Sequence, residues 1–548
     1  MFRQIDNEDT NPLLSPEHSL FSIADDDDDL DATSALDPDN NALKQDQFHV
    51  ISQPLRSTIS SREAEYDLDP EDLDDDASLR QLENTRVTPN DQSMPLLVGL
   101  IDSSARRSMD LPLPLNQHNG HGSREDEIDL DALASKRTSG GGLLNSTANM
   151  ANSILGAGII GLPYAVRQAG FFTGLVLLVF LCVVTDWTIR LIIVNAKLSG
   201  GHSYIDIMNH CFGPGGRAAV SFFQFSFAFG GMCAFGIIIG DTIPHVMRSV
   251  FPKLSTIPIL KLLANRQFMI ALCTVCVSYP LSLYRDIHKL SRASGLALVG
   301  MLVIVFSVLI EGPHAPPELR GDPSKKFTVI GPGIFQAIGV ISFAFVCHHN
   351  SLLIYGSLRT PTLDRFAKVT HISTFISLVA CTTLAVSAYV VFTDKTEGNI
   401  LNNFSPDATL INVARFAFGL NMFTTLPLEL FVCREVVEQF FFSHEAFSMQ
   451  RHVFFTTTIL FSSMFVALIT CDLGVMLEIT GGVSATTLAF IFPAVCYLKL
   501  CDKQLAWYSR TKLPAVVCAA FGLLVTMISL FLALAKTWTP EGRTKLCV

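Results

Sequence analysis

Asn152-Ser-Ile-Leu-Gly156-Ala-Gly158-Ile-Ile-Gly161-Leu-Pro163 decides how this chain is read. The stretch lies inside an apolar segment, 144–166, long enough to cross a bilayer, because about 20 apolar residues cover a hydrocarbon core about 30 Å thick. Gly156, Gly158, Gly161 and Pro163 fall within a span of two helical turns. In a helix interior each Gly costs about 1 kcal/mol and Pro about 3 relative to Ala. Inside a membrane the backbone groups freed by such a break need partners, so a broken helix belongs beside a protein-lined or wet cavity. Small residues also allow close helix packing, as in G-x-x-x-G interfaces. The Gly-x-Gly spacing, with Pro163 followed by Tyr164, favours the break.

Ten further apolar segments follow, at 171–194, 218–243, 266–284, 293–311, 331–355, 372–392, 409–431, 453–471, 475–498 and 514–535. The 548 residues are 49% hydrophobic and only 16% charged, with a mean hydropathy of +0.38. Soluble chains carry about 25% charged residues, so a single water-soluble domain is excluded. The expected fold is an all-α polytopic membrane protein of eleven transmembrane helices occupying 141–535, with a short tail, 536–548, beyond the last span.

Residues 1–140 are different. They hold 31 acidic and 11 basic residues, including the Asp25–Asp29 run, and show no sustained period of 2 or 3.6. Low hydrophobicity with high charge cannot offset the entropy of ordering, so this acidic head is expected to be disordered. It is polar from the start, which argues against a cleaved signal peptide. Asp9-Thr-Asn-Pro-Leu13-Leu14 resembles the acidic dileucine signal read by sorting adaptors, which would place the head in the cytosol. The chain has no dense Lys/Arg patch to meet phosphates, so nucleic acid is not an expected partner.

Orientation follows from Lys and Arg in short loops. With the head cytosolic, inside loops carry Arg190, Lys197, Arg217, Arg285, Lys289, Arg292, Arg359, Arg365 and Lys368. Outside bases such as Arg248, Lys253, Lys325 and Lys326 sit in the two longest connections, where the rule is weak. Asn403-Phe-Ser405, a possible glycosylation acceptor, falls on an outside loop. The 13 cysteines lie mostly in apolar runs. Cys273-x-x-Cys276 reads as buried thiols on a helix, and neither a metal site nor a disulfide framework is expected.

The sixth segment opens with Gly331-Pro332-Gly333 and runs through Phe343-Ala-Phe-Val-Cys-His-His-Asn350. Two histidines and an asparagine within an apolar run are costly unless they face a cavity. Segments one and six thus hold corresponding places in two five-span halves, about 144–311 and 331–498, with 514–535 as an extra helix. That pairing points to an inverted-repeat transporter with its site at the midplane. Half-helix N-termini there hold a carboxylate, and unwound carbonyls hold a cation. A channel would need a pore-lining polar stripe. An enzyme would need a convergent set of catalytic groups that His348 and His349 alone do not supply.

The motifs at Asn152–Ala165 and Phe343–Tyr355, with Ile479-Thr-Gly-Gly482 and Phe490-Ile-Phe-Pro493, resemble the amino acid/auxin permease family over residues 141–535, within it the sodium-coupled neutral amino acid branch and the fungal vacuolar transporters. The resemblance implies a LeuT-type five-plus-five fold, an amino acid substrate, H⁺ or Na⁺ as coupling ion with no other cofactor, and alternating access across a vacuolar or lysosomal membrane, with endoplasmic reticulum or plasma membrane as alternatives. It implies that Gly156, Ala157 and Gly158, with Ser153, face the substrate's backbone groups. It also implies that Asn152, Thr424 and Thr425 hold the cation. His348-His349-Asn350 stands where the sodium-coupled branch often has His-Pro-Glu, which sets its style of coupling apart.

Several residues carry two readings. Phe343 and Phe345 gate the substrate or simply pack. His348 relays protons or makes a structural hydrogen bond. Glu429 carries a proton when buried or pairs with Arg434, five residues on. Asp186 and Arg190 read as a structural i, i+4 pair. Glu478, near the start of span ten, is an intramembrane acid or lies at the interface that Asp472 suggests there. A competing function is an amino acid sensor that reports occupancy through the acidic head.

Overall fold

The computed structural model describes residues 143–538, apart from 252–260, 284–293 and positions 360, 444, 446, 503 and 505. The acidic head and its Asp9-to-Leu14 motif lie outside the described residues, as does most of the tail. Among the described residues ten helices are long and apolar enough to cross a membrane, from Phe171–Ser199 to Leu513–Ala535. The first segment supplies the eleventh in pieces: a helix Leu143–Ile154, a tight turn Ala157–Gly161 and a helix Leu162–Ala169. Large apolar side chains such as Val176, Phe180 and Val183 on span two and Leu523, Met527 and Phe531 on span eleven are exposed. They recur at helical spacing and form faces suited to lipid rather than water.

Span three, Tyr204–Val250, is too long for one bilayer crossing and bends at Gly213, whose φ of 63° only glycine adopts cheaply. Ser203 and Asp206 close its start as a reciprocal cap. Span six is two helices, Ile334–Phe345 and His348–Gly356. Span ten is irregular in the middle, with widened turns over Thr480–Ala485 and Thr487–Ile491. Glycines let spans one, six and ten meet backbone to backbone. A Cβ on Gly158 would lie 2.5 Å from Ala344 Cα, and one on Gly481 would lie 1.9 Å from Gly339 O.

One end of the bundle is tied shut. Arg266 Nε lies 3.2 Å from Asp241 Oδ1, and its Nη atoms donate to Ala467 O and Thr470 O. Asn399 and Asn402 donate to the other Asp241 oxygen at 3.3 and 3.2 Å. Spans three, four and nine and the connection between spans seven and eight are thereby joined. Arg415, fully buried on span eight, holds that connection through Leu401 O and Phe404 O.

Three expectations are corrected here. Asn403 is 7% exposed, and its amide bonds Glu397 N–H and Lys395 O; it braces the connection and has no room for a glycan. Cys471, just past the apolar run of span nine, is disulfide-bonded, the chemistry of an oxidising compartment. Cys276 is exposed, while Cys273 is buried as expected.

Candidate functional site

The break in span one follows from its glycines and proline. Leu155 N–H still bonds Ala151 O at 2.7 Å, but the next backbone bond is Ile159 N–H to Gly156 O at 3.3 Å. Pro163, in the first turn of the following helix, sits where its missing N–H costs least. The break in span six falls at Val346–Cys347, without glycine or proline. Val346 N–H ends the first half on Ser342 O at 3.1 Å, and Asn350 N–H opens the second on Cys347 O at 3.0 Å. The Gly158–Ala344 contact sets the two breaks side by side. Each supplies a helix C-terminus with spare carbonyls and a helical N-terminus with spare N–H groups.

The structure divides the residues expected to face substrate. Asn152, Ser153 and Gly156 are partly exposed, and a Cβ on Gly156 would meet only Ser153 O, at 3.9 Å. That side of the break opens onto space. Ala157 and Gly158 are buried, and Phe345 is completely so, within the core. Phe343 is 7% exposed and packs on Phe227 at 5.4 Å, which in turn packs on the His349 ring at 5.5 Å.

His348 is fully buried, and its Nε2 lies 2.8 Å from Thr188 Oγ1 on span two. Its Nδ1 and that of His349 are buried with no hydrogen-bond partner among the described residues. The second half of span six is thus held by a hydroxyl 160 residues away. Asp186 pairs with Arg190 at 2.9 Å as expected, and also meets His371 Nδ1 at 2.9 Å and the Thr374 hydroxyl at 3.2 Å from span seven. Glu478 is buried and accepts a hydrogen bond from the Tyr164 hydroxyl at 2.8 Å. That bond ties the helix after the first break to span ten.

On span eight the Thr424 and Thr425 hydroxyls both donate to Asn421 O, at 2.8 and 2.9 Å, and Thr425 also reaches Asn421 Oδ1 at 3.2 Å. Those bonds stay within span eight. The expected Glu429–Arg434 pair is not formed. Arg434 donates to Thr456 Oγ1 at 2.9 Å, reaches toward His452 and stacks over Phe431. Residues five apart on a helix point about 140° apart, which is why nearness in sequence misled here.

Thr188, His371 and Thr374 were not singled out from sequence, and Tyr164 was read only as part of the first break. Their one visible signal is a polar side chain in an apolar run, and each finds its partner more than 150 residues away.

Two broken helices meeting inside a bundle of apolar spans define a membrane transporter built on discontinuous helices. The family can be stated as well. A family model described as "Transmembrane amino acid transporter protein" matches residues 139–534, and the chain belongs to that family. It is 40% identical over 391 residues to Vacuolar amino acid transporter 2 of Saccharomyces cerevisiae, covering 70% of this chain and 81% of that one. It is 37% identical over 410 residues to the Putative sodium-coupled neutral amino acid transporter 11 of Danio rerio, covering 74% and 90%. Among solved structures it is similar to a manganese transporter of Eremococcus coleocola, at a TM-score of 0.42 and 14% identity over 79% of this chain and 93% of that one. This is a transporter of amino acids and not an enzyme.

Proposed function

We propose that this chain moves neutral amino acids across an intracellular membrane, the vacuolar or lysosomal one, by ion-coupled alternating access. The observation that carries the reading is the pair of breaks brought together at Gly158 and Ala344, with open space beside Gly156. Spare N–H groups at the helix starts suit the substrate carboxylate, and spare carbonyls at the helix ends suit its ammonium. The described side chains on the open side, Asn152 and Ser153, carry no charge, which favours a neutral substrate. Asn152, at the end of the first half-helix, lines the path of the coupling ion, H⁺ or Na⁺, and Thr424 and Thr425 shape the neighbouring face of span eight. The names of the yeast and zebrafish relatives support the vacuolar and neutral assignments. They also support transport over sensing.

The test is uptake of a labelled neutral amino acid mixture into proteoliposomes under a pH gradient or a Na⁺ gradient, with Asn152→Ala beside wild type. Gradient-driven uptake that falls at least about tenfold in the variant supports the reading. Amino acid binding without flux under either gradient turns the protein into a sensor and overturns it.

A further inference from the structure

Span eight carries a polar ladder that the substrate site does not use. Asn421, Thr425 and Glu429 follow one another at i, i+4 and i+8, so they share one face of an otherwise apolar membrane helix. The Thr425 hydroxyl bridges to both carbonyl oxygens of Asn421. Pro427, between Thr425 and Glu429, has no N–H to give to the carbonyl four residues back, which leaves Phe423 O with spare capacity. Glu429 lies against span three, its Cγ 4.0 Å from where a Cβ of Gly231 would stand. A glycine there makes room for the carboxyl. The neighbouring Gly230 is pressed by Thr480, from the widened turn of span ten.

Glu429 Oε2 is completely enclosed and has no hydrogen-bond partner among the described residues, while the residue as a whole keeps partial exposure. The titratable groups that face it are the Cys433 thiol, one turn on, and through it Cys233 of span three. On span six the His349 ring packs on Phe227 of span three. The cation closest in sequence, Arg434, is turned to Thr456 and Phe431. A carboxylate left with neither cation nor donor in a low-dielectric interior is strongly disfavoured against the neutral acid. No such penalty falls on a carboxyl holding a proton.

We propose that Glu429 carries the coupling proton, with the Thr425–Asn421 ladder as the polar face along which it is reached. The proposal rests on the transport reading above and chooses H⁺ over Na⁺ for this chain. A proton from water on one side binds the carboxylate as substrate enters. When the bundle rocks, the same proton leaves to water on the other side. Nothing else is made or broken.

The experiment uses the full chain in proteoliposomes and reads two quantities with a labelled neutral amino acid mixture. One is exchange of label against unlabelled amino acid with no ion gradient; the other is accumulation driven by one pH unit, whose ceiling for one proton per substrate is about tenfold. Wild type is expected to show both. Glu429→Gln is expected to keep exchange within about threefold and to lose accumulation under the pH gradient, and Glu429→Asp to retain part of it. A Glu429→Gln protein that accumulates as wild type does overturns the proposal and leaves transport standing. So does one that melts like wild type but no longer exchanges, since Glu429 would then gate the path and not carry the proton. If Glu429→Gln does not fold, Glu429→Asp decides: an unchanged pH dependence of accumulation overturns the assignment. Wild type that neither exchanges nor accumulates sinks the transport reading itself.

Discussion

The two broken helices reach the same result by different means. The first span is interrupted by its own backbone: glycines at 156, 158 and 161 and a proline at 163 weaken the helix wherever it is placed. The sixth is interrupted at Val346–Cys347, two residues with no helix-breaking chemistry. There the break is held from outside, by the Thr188–His348 contact and by the close approach of Gly339 to Glu478 O and Gly482 N on span ten. One break is local and intrinsic, the other tertiary. An intrinsic break persists through a conformational cycle, whereas one held by neighbours can tighten or relax as they move. The sixth span is therefore the better candidate for the moving part.

The largest effect should come from filling the contact between the breaks. Gly158→Val puts a side chain where even a Cβ lies 2.5 Å from Ala344 Cα and 3.0 Å from Ala344 N. Backbone atoms cannot swing aside, so a destabilisation of about 3 kcal/mol or more is expected, with loss of uptake. Gly156→Ala, two residues away, is the control. Its Cβ would meet only Ser153 O, at 3.9 Å, so the protein should melt within about 1 kcal/mol of wild type while its KM for amino acid rises. Equal effects at the two positions, read by thermal melting and uptake, would erase the distinction between the packed and open sides of the break.

A smaller effect tests whether the sixth break is held from outside. Thr188→Val keeps the shape of the side chain and removes the hydroxyl 2.8 Å from His348 Nε2. With Nδ1 already unpartnered, both ring nitrogens would be buried and unsatisfied, at a cost of about 1–3 kcal/mol. Thr188→Ser should restore most of the loss in both melting temperature and uptake. A Thr188→Val protein indistinguishable from wild type would mean that the sixth span breaks for reasons of its own.

What could be read in advance follows the same division. The spans were legible because lipid imposes about 20 apolar residues on any helix that crosses it, and positions 171 to 535 fall into segments that the structure reproduces. The first break was legible because its cause is written in Gly and Pro. The position of the sixth break was not, because contacts with neighbouring spans hold it, and the widened turns at Thr480–Ala485 and Thr487–Ile491 were not foreseen either. Tyr164 and Glu478 are 314 residues apart and meet only in the fold. The Glu429–Arg434 expectation failed for a related reason, since sequence distance says nothing of facing until the helical angle is counted. Asn403 shows the limit of a motif: the tripeptide is present, but its amide is spent on the backbone beside it.

The smallest effect is expected far from both breaks, where Lys325, in the connection before span six, holds Asp394 at 2.9 Å on the surface. The hydrogen bond to Asp394 holds the Lys325 ammonium above its usual range. Its contribution is thus fully present below the unfolded lysine value, about 10.4, and fades only as pH rises through the folded one. The Asp322 N–H holds the Asp394 carboxyl below the usual carboxylate range. Its contribution is present above the unfolded aspartate value, about 3.9, and fades only as pH falls through the folded one. Between those limits the pair should not respond to pH. Exposed pairs contribute little, so Lys325→Ala should leave uptake within about twofold of wild type at both pH 5 and pH 8. A large loss, or one that differs between the two pH values, would show that this connection takes part in rocking the sixth span. The sixth break would then be held from the surface as well as by Thr188.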